Sequence, residues 1–127
     1  PQTKFASSFL GSANLVPVRT TKAADGVRAA LAEDAAITLA GEAPAAEAML
    51  ALRQEDLRLH PSDAATAAGR AFPATIETRV FLGARIRYVL RVGEHRLKCL
   101  APPSDLFAPG DLVMVEVSPN AARLLAA

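Results

Sequence analysis

Residues 80–100 read Val-Phe-Leu-Gly-Ala-Arg-Ile-Arg-Tyr-Val-Leu-Arg-Val, then Gly-Glu, then His-Arg-Leu-Lys-Cys-Leu. Few folds accommodate that pattern. From Ala84 onward, Ala84, Ile86, Tyr88, Leu90 and Val92 fall on one face of an extended chain, and Arg85, Arg87, Val89 and Arg91 on the other, because successive side chains of a strand point to opposite sides. Alternation over this length predicts a strand buried on one face. Gly93-Glu94 predicts a two-residue hairpin turn, since such turns need positive φ. The turn sets Val92 opposite His95, Leu90 opposite Leu97 and Tyr88 opposite Cys99 on the core face. On the outer face it sets Arg91 opposite Arg96 and Val89 opposite Lys98. Like charges facing each other across a ladder repel, so the outer face needs a partner, inside the chain or outside it.

The rest of the chain has the same texture of short strands and turns. Leu15-Val16-Pro17-Val18-Arg19 reads as extended, with Pro17 arguing for an edge position. Asp25-Gly26 is a turn signal ahead of residues 27–31, and Glu33-Asp34 separates these from residues 35–39. Alanine is frequent from Ala23 to Ala51, but Gly26, Gly41 and Pro44 punctuate that stretch too often for a helix. Residues 48–52 and 71–82 are further strands. Gly83 breaks the second of these, Pro102-Pro103 ends the hairpin, and Pro109-Gly110-Asp111 turns the chain into residues 112–117. There Val113, Val115 and Val117 share one side, and residues 122–125 form a closing strand. Residues 1–12 read as a short helix ending at Gly11, with Phe5, Phe9 and Leu10 on one side. The expected fold is mainly β: small OB-like barrels of short antiparallel strands, preceded by that short N-terminal helix. The expected division is a helix over 1–12, a first β subdomain over 13–62 and a second, OB-like subdomain over 63–127.

Several chemistries find no support. The 127 residues carry 14 Lys and Arg against 13 Asp and Glu, a formal charge of +1, without the basic excess of a general nucleic-acid binder. A stacking platform for single strands interleaves aromatics with cations, whereas Tyr88 falls on the core face away from the arginines. No GxxxxGK[ST] loop is present. His60 and His95 lack metal-ligand spacing; His60 reads as an exposed loop residue and His95 as a half-buried strand residue. Glu55-Asp56 has no base beside it. Cys99 is the one cysteine; it fits a reducing compartment and reads as a small buried apolar group. No catalytic, cofactor-binding or metal-binding residue is assigned, and the expectation is that this chain is not an enzyme.

Three pieces, in order, resemble the ATP-binding subunits of ABC importers. Phe5-Ala6-Ser7-Ser8-Phe9-Leu10-Gly11 followed by Asn14-Leu15 resembles the end of their ATPase domain. Leu52-Arg53-Gln54-Glu55-Asp56-Leu57 resembles the Arg-Pro-Glu-Asp motif of their C-terminal extension, with Gln54 in place of the usual proline. Val80-Phe81-Leu82-Gly83-Ala84-Arg85, Tyr88-Val89-Leu90 and Phe107-Ala108-Pro109-Gly110-Asp111 resemble the last segment, the TOBE (transport-associated OB) domain. The nearest likeness is to importers of the ferric-iron, polyamine and phosphonate group. The resemblance implies a regulatory and dimer-stabilising domain whose ATPase core lies upstream in a longer parent, in keeping with a chain that begins at Pro1. It implies a homodimer, contact with the parent's ATPase domain, membrane permease subunits engaged through the parent, and a place at the cytoplasmic face of the membrane. Asn14, Arg53, Glu55, Asp56 and Gly83 match motif positions and are expected to be structural.

Where the residues and the resemblance meet is the basic face of Arg85, Arg87, Arg91, Arg96 and Lys98. Clustered guanidiniums suit oxyanions, so a small anion is one expected partner. The same cations could pair with acids such as Glu55, Asp56 or Glu77, or with a dimer mate. Two other readings stand beside the importer one: a free-standing oxyanion-binding domain of the molybdate-binding kind, and an OB-fold nucleic-acid binder.

Overall fold

The computed structural model describes residues 13–118 and 120–127, so the short helix expected over residues 1–12 lies outside them. Ten strands follow in order: β1 (Ala13–Ala23), β2 (Gly26–Ala32), β3 (Ala35–Leu39), β4 (Glu47–Arg53), β5 (Leu57–Pro61), β6 (Ala71–Phe81), β7 (Ile86–Val92), β8 (His95–Ala101), β9 (Leu112–Val117) and β10 (Ala122–Ala126), with one 3-10 turn over Gln54–Asp56. They form two five-stranded sheets, β10-β4-β1-β2-β3 and β5-β9-β6-β7-β8. The fold is the expected OB-like, antiparallel β type.

The hairpin of residues 86–101 has the register that its alternation predicts. Val92 faces His95, Leu90 faces Leu97, Tyr88 faces Cys99, and Arg91 faces Arg96. Tyr88, Leu90, Leu97 and Cys99 are buried, as are Val113, Val115 and Val117 of β9. A one-residue slip would move all of them to solvent, and that fixes the register.

The sheets do not divide at residues 62/63. β5, from before that point, pairs with β9, and β10, from the end of the chain, pairs with β4. Each sheet is completed by a strand from the far side of the expected boundary. Alternation marks which face of β5 and β10 is buried, but it is silent on which sheet edge receives them. One hydrophobic cluster runs through both sheets, from Val16, Leu50 and Leu52 to Tyr88, Leu90 and Val115. The Thr38 N–H of β3 also donates to the Gly69 carbonyl, in the loop before β6, at 2.8 Å.

Pro17 lies on an interior strand, since β1 sits between β4 and β2. Its pairing explains why this is tolerated: Pro17 faces Met49 on β4, whereas the ladder to β2 begins only at Arg19 opposite Ala30. Proline lacks a donor for a second ladder, and none is asked of it there.

Gly83 (φ 81°) and Gly93 (φ 59°) both take the left-handed backbone region. A Cβ at Gly83 would enter open space, whereas one at Gly93 would come within 2.7 Å of the Ala32 Cβ of the other sheet. Gly83→Ala is therefore expected to cost about 1 kcal/mol of stability, the backbone cost alone. Gly93→Ala should cost clearly more, because the clash with Ala32 adds to the same backbone cost. Urea unfolding of the two variants, side by side, measures the difference; equal losses would mean the hairpin turn is not seated against the first sheet.

Candidate functional site

The outer face of the hairpin carries the candidate cations, and a bulge in β6 reorganises them. The β6–β7 ladder pairs Ile76 with Leu90 and then Thr78 with Val89, leaving Glu77 as the extra residue. Bulges re-aim side chains in this way. Glu77 accepts from Arg91 at 2.9 Å and from Arg96 at 2.8 Å, one carboxylate between the two arginines that face each other across β7 and β8. Hydrogen bonds from Arg96 first, and then Arg91, hold the Glu77 carboxyl below its ordinary value. The five cations thus separate. Arg91 and Arg96 are committed to Glu77, Arg87 and Lys98 stand beside them on the outer faces of β7 and β8, and Arg85 belongs to the bend before β7.

Beyond the bulge the same strand presents Arg79 opposite Tyr88. Both hold the loop after β8. The buried Tyr88 hydroxyl donates to the Asp105 carbonyl at 2.6 Å and accepts from the Phe107 N–H at 3.1 Å. Arg79 donates to the Phe107 carbonyl at 2.7 Å. The Phe107 ring meets Tyr88 edge-on, and Asp111 closes the next turn by accepting from the Ala108 N–H at 2.9 Å.

The second sheet curls until its two edge strands, β5 and β8, lie side by side, but no backbone ladder joins them among the described residues. The Cys99 thiol bridges this seam with a bond to the Leu57 carbonyl at 3.4 Å. Burial, helped by the nearby Asp105 charge, pushes that thiol up to about 12. Farther along the seam a cleft of about 450 Å³ opens, lined by Glu55, Arg58, Arg85, Leu100, Ala101 and Asp105 among others. Glu55 reaches it from the 3-10 turn that follows β4; Asp56 shares that turn.

Asn14 is the motif residue whose role is plainest. Its carboxamide donates to the Leu52 carbonyl at 3.1 Å and to the Lys98 carbonyl at 2.9 Å, and accepts from the Lys98 N–H at 2.7 Å. It thus behaves as a piece of strand, tying β8 of one sheet to β1 and β4 of the other. Arg53 ends β4, and Gly83 makes the left-handed bend.

Two further residues, Arg58 and His60, join the second sheet through β5. Arg58 reaches the seam cleft only because β5 is inserted into the second sheet. His60, expected in an exposed loop, lies in β5 and bonds Glu116 at 3.0 Å, while the other Glu116 oxygen accepts from the Ala67 N–H at 2.9 Å. These bonds, that from Ala67 foremost, hold the Glu116 carboxyl below its ordinary value. The alternation of residues 57–61 signals the strand that carries both, but not the sheet that this strand joins.

Asn14→Ala should lose roughly 1–3 kcal/mol, the cost of leaving partly buried strand groups unsatisfied, and Asn14→Asp should fare no better because it replaces two donated bonds by repulsion; denaturant unfolding measures both. The depressed carboxyls of Glu77 and Glu116 contribute stability that is present above the ordinary glutamate value of 4.5 and is lost as pH falls below it. Glu77→Gln should flatten that acid limb in melts taken from pH 6 downward, and an unchanged limb would contradict the ion-pair geometry. Cys99 should react with a thiol-specific reagent at neutral pH only as fast as the protein unfolds, so fast labelling of the native chain would rule out its buried seam position.

A family model described as a TOBE domain matches residues 50–125. No curated protein matches the chain. Among solved structures, the cytoplasmic molybdate-binding protein ModG, determined with molybdate bound, is similar with a TM-score of 0.65 at 12% identity, over 90% of this chain and 96% of that one. At such identity the likeness is one of fold. The family model covers more than half of the 127 residues, and the chain belongs to the TOBE domain family.

Proposed function

We propose that this chain is a regulatory TOBE domain that binds a small tetrahedral oxyanion and performs no catalysis. The observation that carries the reading is the combination of a TOBE family match over residues 50–125 with the fold of a molybdate-binding protein. Arginines at two places on the second sheet, the outer hairpin face and the seam, give an anion something to bind. Guanidiniums recognise oxyanions through paired, charge-assisted hydrogen bonds. A formal charge of +1 and the burial of Tyr88 weigh against a nucleic-acid surface.

A second reading is favoured by the order of the motifs. In it the domain is the C-terminal extension of an ABC importer ATP-binding subunit of the iron, polyamine or phosphonate type. It would work as a homodimer beside the ATPase domains at the cytoplasmic face of the membrane, with the permease subunits reached through the parent chain. The two readings are compatible, since an oxyanion held by such a domain would report solute supply to the ATPase.

Isothermal titration with molybdate, tungstate, sulfate and phosphate at millimolar concentration tests the first reading. Saturable heat with at least one of them is expected, together with a ligand-dependent rise in melting temperature, because a ligand bound only by the folded state stabilises it. Silence with all four would remove oxyanion binding. Saturable, salt-sensitive binding of an oligonucleotide instead would point to the nucleic-acid class.

A further inference from the structure

We infer that the cleft at the β5/β8 seam is the anion site, and that its four charged side chains select an oxyanion that still carries a proton, of the hydrogen-phosphate or phosphonate class. The inference rests on the oxyanion reading above and gives it a place and a ligand class. Arg91 and Arg96 already share the Glu77 carboxylate, so the outer face has spent its best-positioned guanidiniums. Arg58 and Arg85 line the seam cleft, and both are solvent-exposed. The cleft's volume of about 450 Å³ lies within the range of small-ligand sites, roughly 300–1,000 Å³. It opens between β5 and β8, the two edge strands that no ladder joins among the described residues.

The ligand class follows from the acids in the same cleft. Glu55 and Asp105 line it with the arginines, and Asp105 is close enough to the seam to raise the Cys99 thiol. A carboxylate can only accept hydrogen bonds. Sulfate and molybdate, fully ionised at neutral pH, have no proton to give and would meet Glu55 and Asp105 as like charges. Hydrogen phosphate or an alkyl hydrogen phosphonate offers an O–H to a carboxylate while its other oxygens accept from Arg58 and Arg85. Glu55 and Asp105 match Arg58 and Arg85 in charge, and Glu116 faces Arg58 across the β5–β9 ladder, which disfavours a polyphosphate chain with several further charges.

Calorimetric titration tests this with sodium phosphate and methylphosphonate against sodium sulfate and molybdate at neutral pH, all at low millimolar concentration so that the general stabilising effect of excluded salts stays negligible. Phosphate and methylphosphonate should bind roughly tenfold or more tightly than sulfate, the difference expected when one charge-assisted hydrogen bond is replaced by repulsion. Arg58→Gln together with Arg85→Gln should abolish the phosphate heat, while Arg28→Gln, on the first sheet, should leave it unchanged. Glu55→Gln with Asp105→Asn should narrow the gap between phosphate and sulfate. Circular dichroism of each variant confirms its fold, which these surface changes should not disturb. Undiminished phosphate binding in the double arginine variant, or sulfate and molybdate binding as well as phosphate in the parent, would overturn the inference while leaving oxyanion binding intact. Absence of heat with every anion would overturn the oxyanion reading and this site with it.

Discussion

A single carboxylate between two arginines lets the central hairpin exist in the register its core requires. Burial of Tyr88, Leu90, Leu97 and Cys99 fixes the pairing of β7 with β8, and that pairing forces Arg91 opposite Arg96. Left alone, the two cations would work against the ladder. The bulge at Glu77 supplies the counter-charge from the neighbouring strand without disturbing the inner face, where Ile76 remains buried. The same bulge shifts the phase of β6, so that Arg79 comes opposite Tyr88 and the two together hold the 105–107 loop. One inserted residue therefore gives Arg91 and Arg96 a shared counter-charge and secures the end of the sheet.

The ion pairs themselves are largely solvent-exposed on the arginine side, and exposed pairs contribute little net stability. Their importance lies in specificity. The hydrophobic face supplies the driving force, and the carboxylate removes a penalty that would otherwise favour other pairings. Asn14 acts similarly at the middle of β8, where a side-chain amide stands in for a neighbouring strand at Lys98. Each device uses polar groups to complete an arrangement that apolar burial has already selected.

This division of labour explains how much of the molecule could be read from its sequence. The hairpin register, the strand at residues 112–117 and the bend at Gly83 follow from local alternation and local turn chemistry, and all three are found. The destinations of β5 and β10 are set by edges far away in the chain, and no local pattern encodes them. The site suffered most from that gap. Arg58 could not be placed near Arg85 without knowing that β5 closes the second sheet, and the basic cluster looked like one face because its five members are near in sequence. Glu77 is one of the acids within the chain that can meet that face, but the bulge that aims it leaves no mark in the sequence alternation. The first element, over residues 1–12, stands outside what the structure describes.

The seam between β5 and β8 shows how such a barrel can hold a cleft open between two strands at little structural cost. A closed ladder would satisfy every strand edge and leave no room between the two strands. Here closure is by a thiol contact at Leu57 and Cys99, and the strands part beyond it. The residues lining the gap come from the 3-10 turn after β4, from β5, from the bend before β7, from the end of β8 and from the loop after it. Tyr88 anchors that last loop through the backbone of Asp105, so the acid at the cleft is positioned from the core. A ligand that joined Arg58 on β5 to Arg85 beside β7 would bridge parts of the sheet that the backbone leaves apart. Binding there would strengthen closure of the barrel.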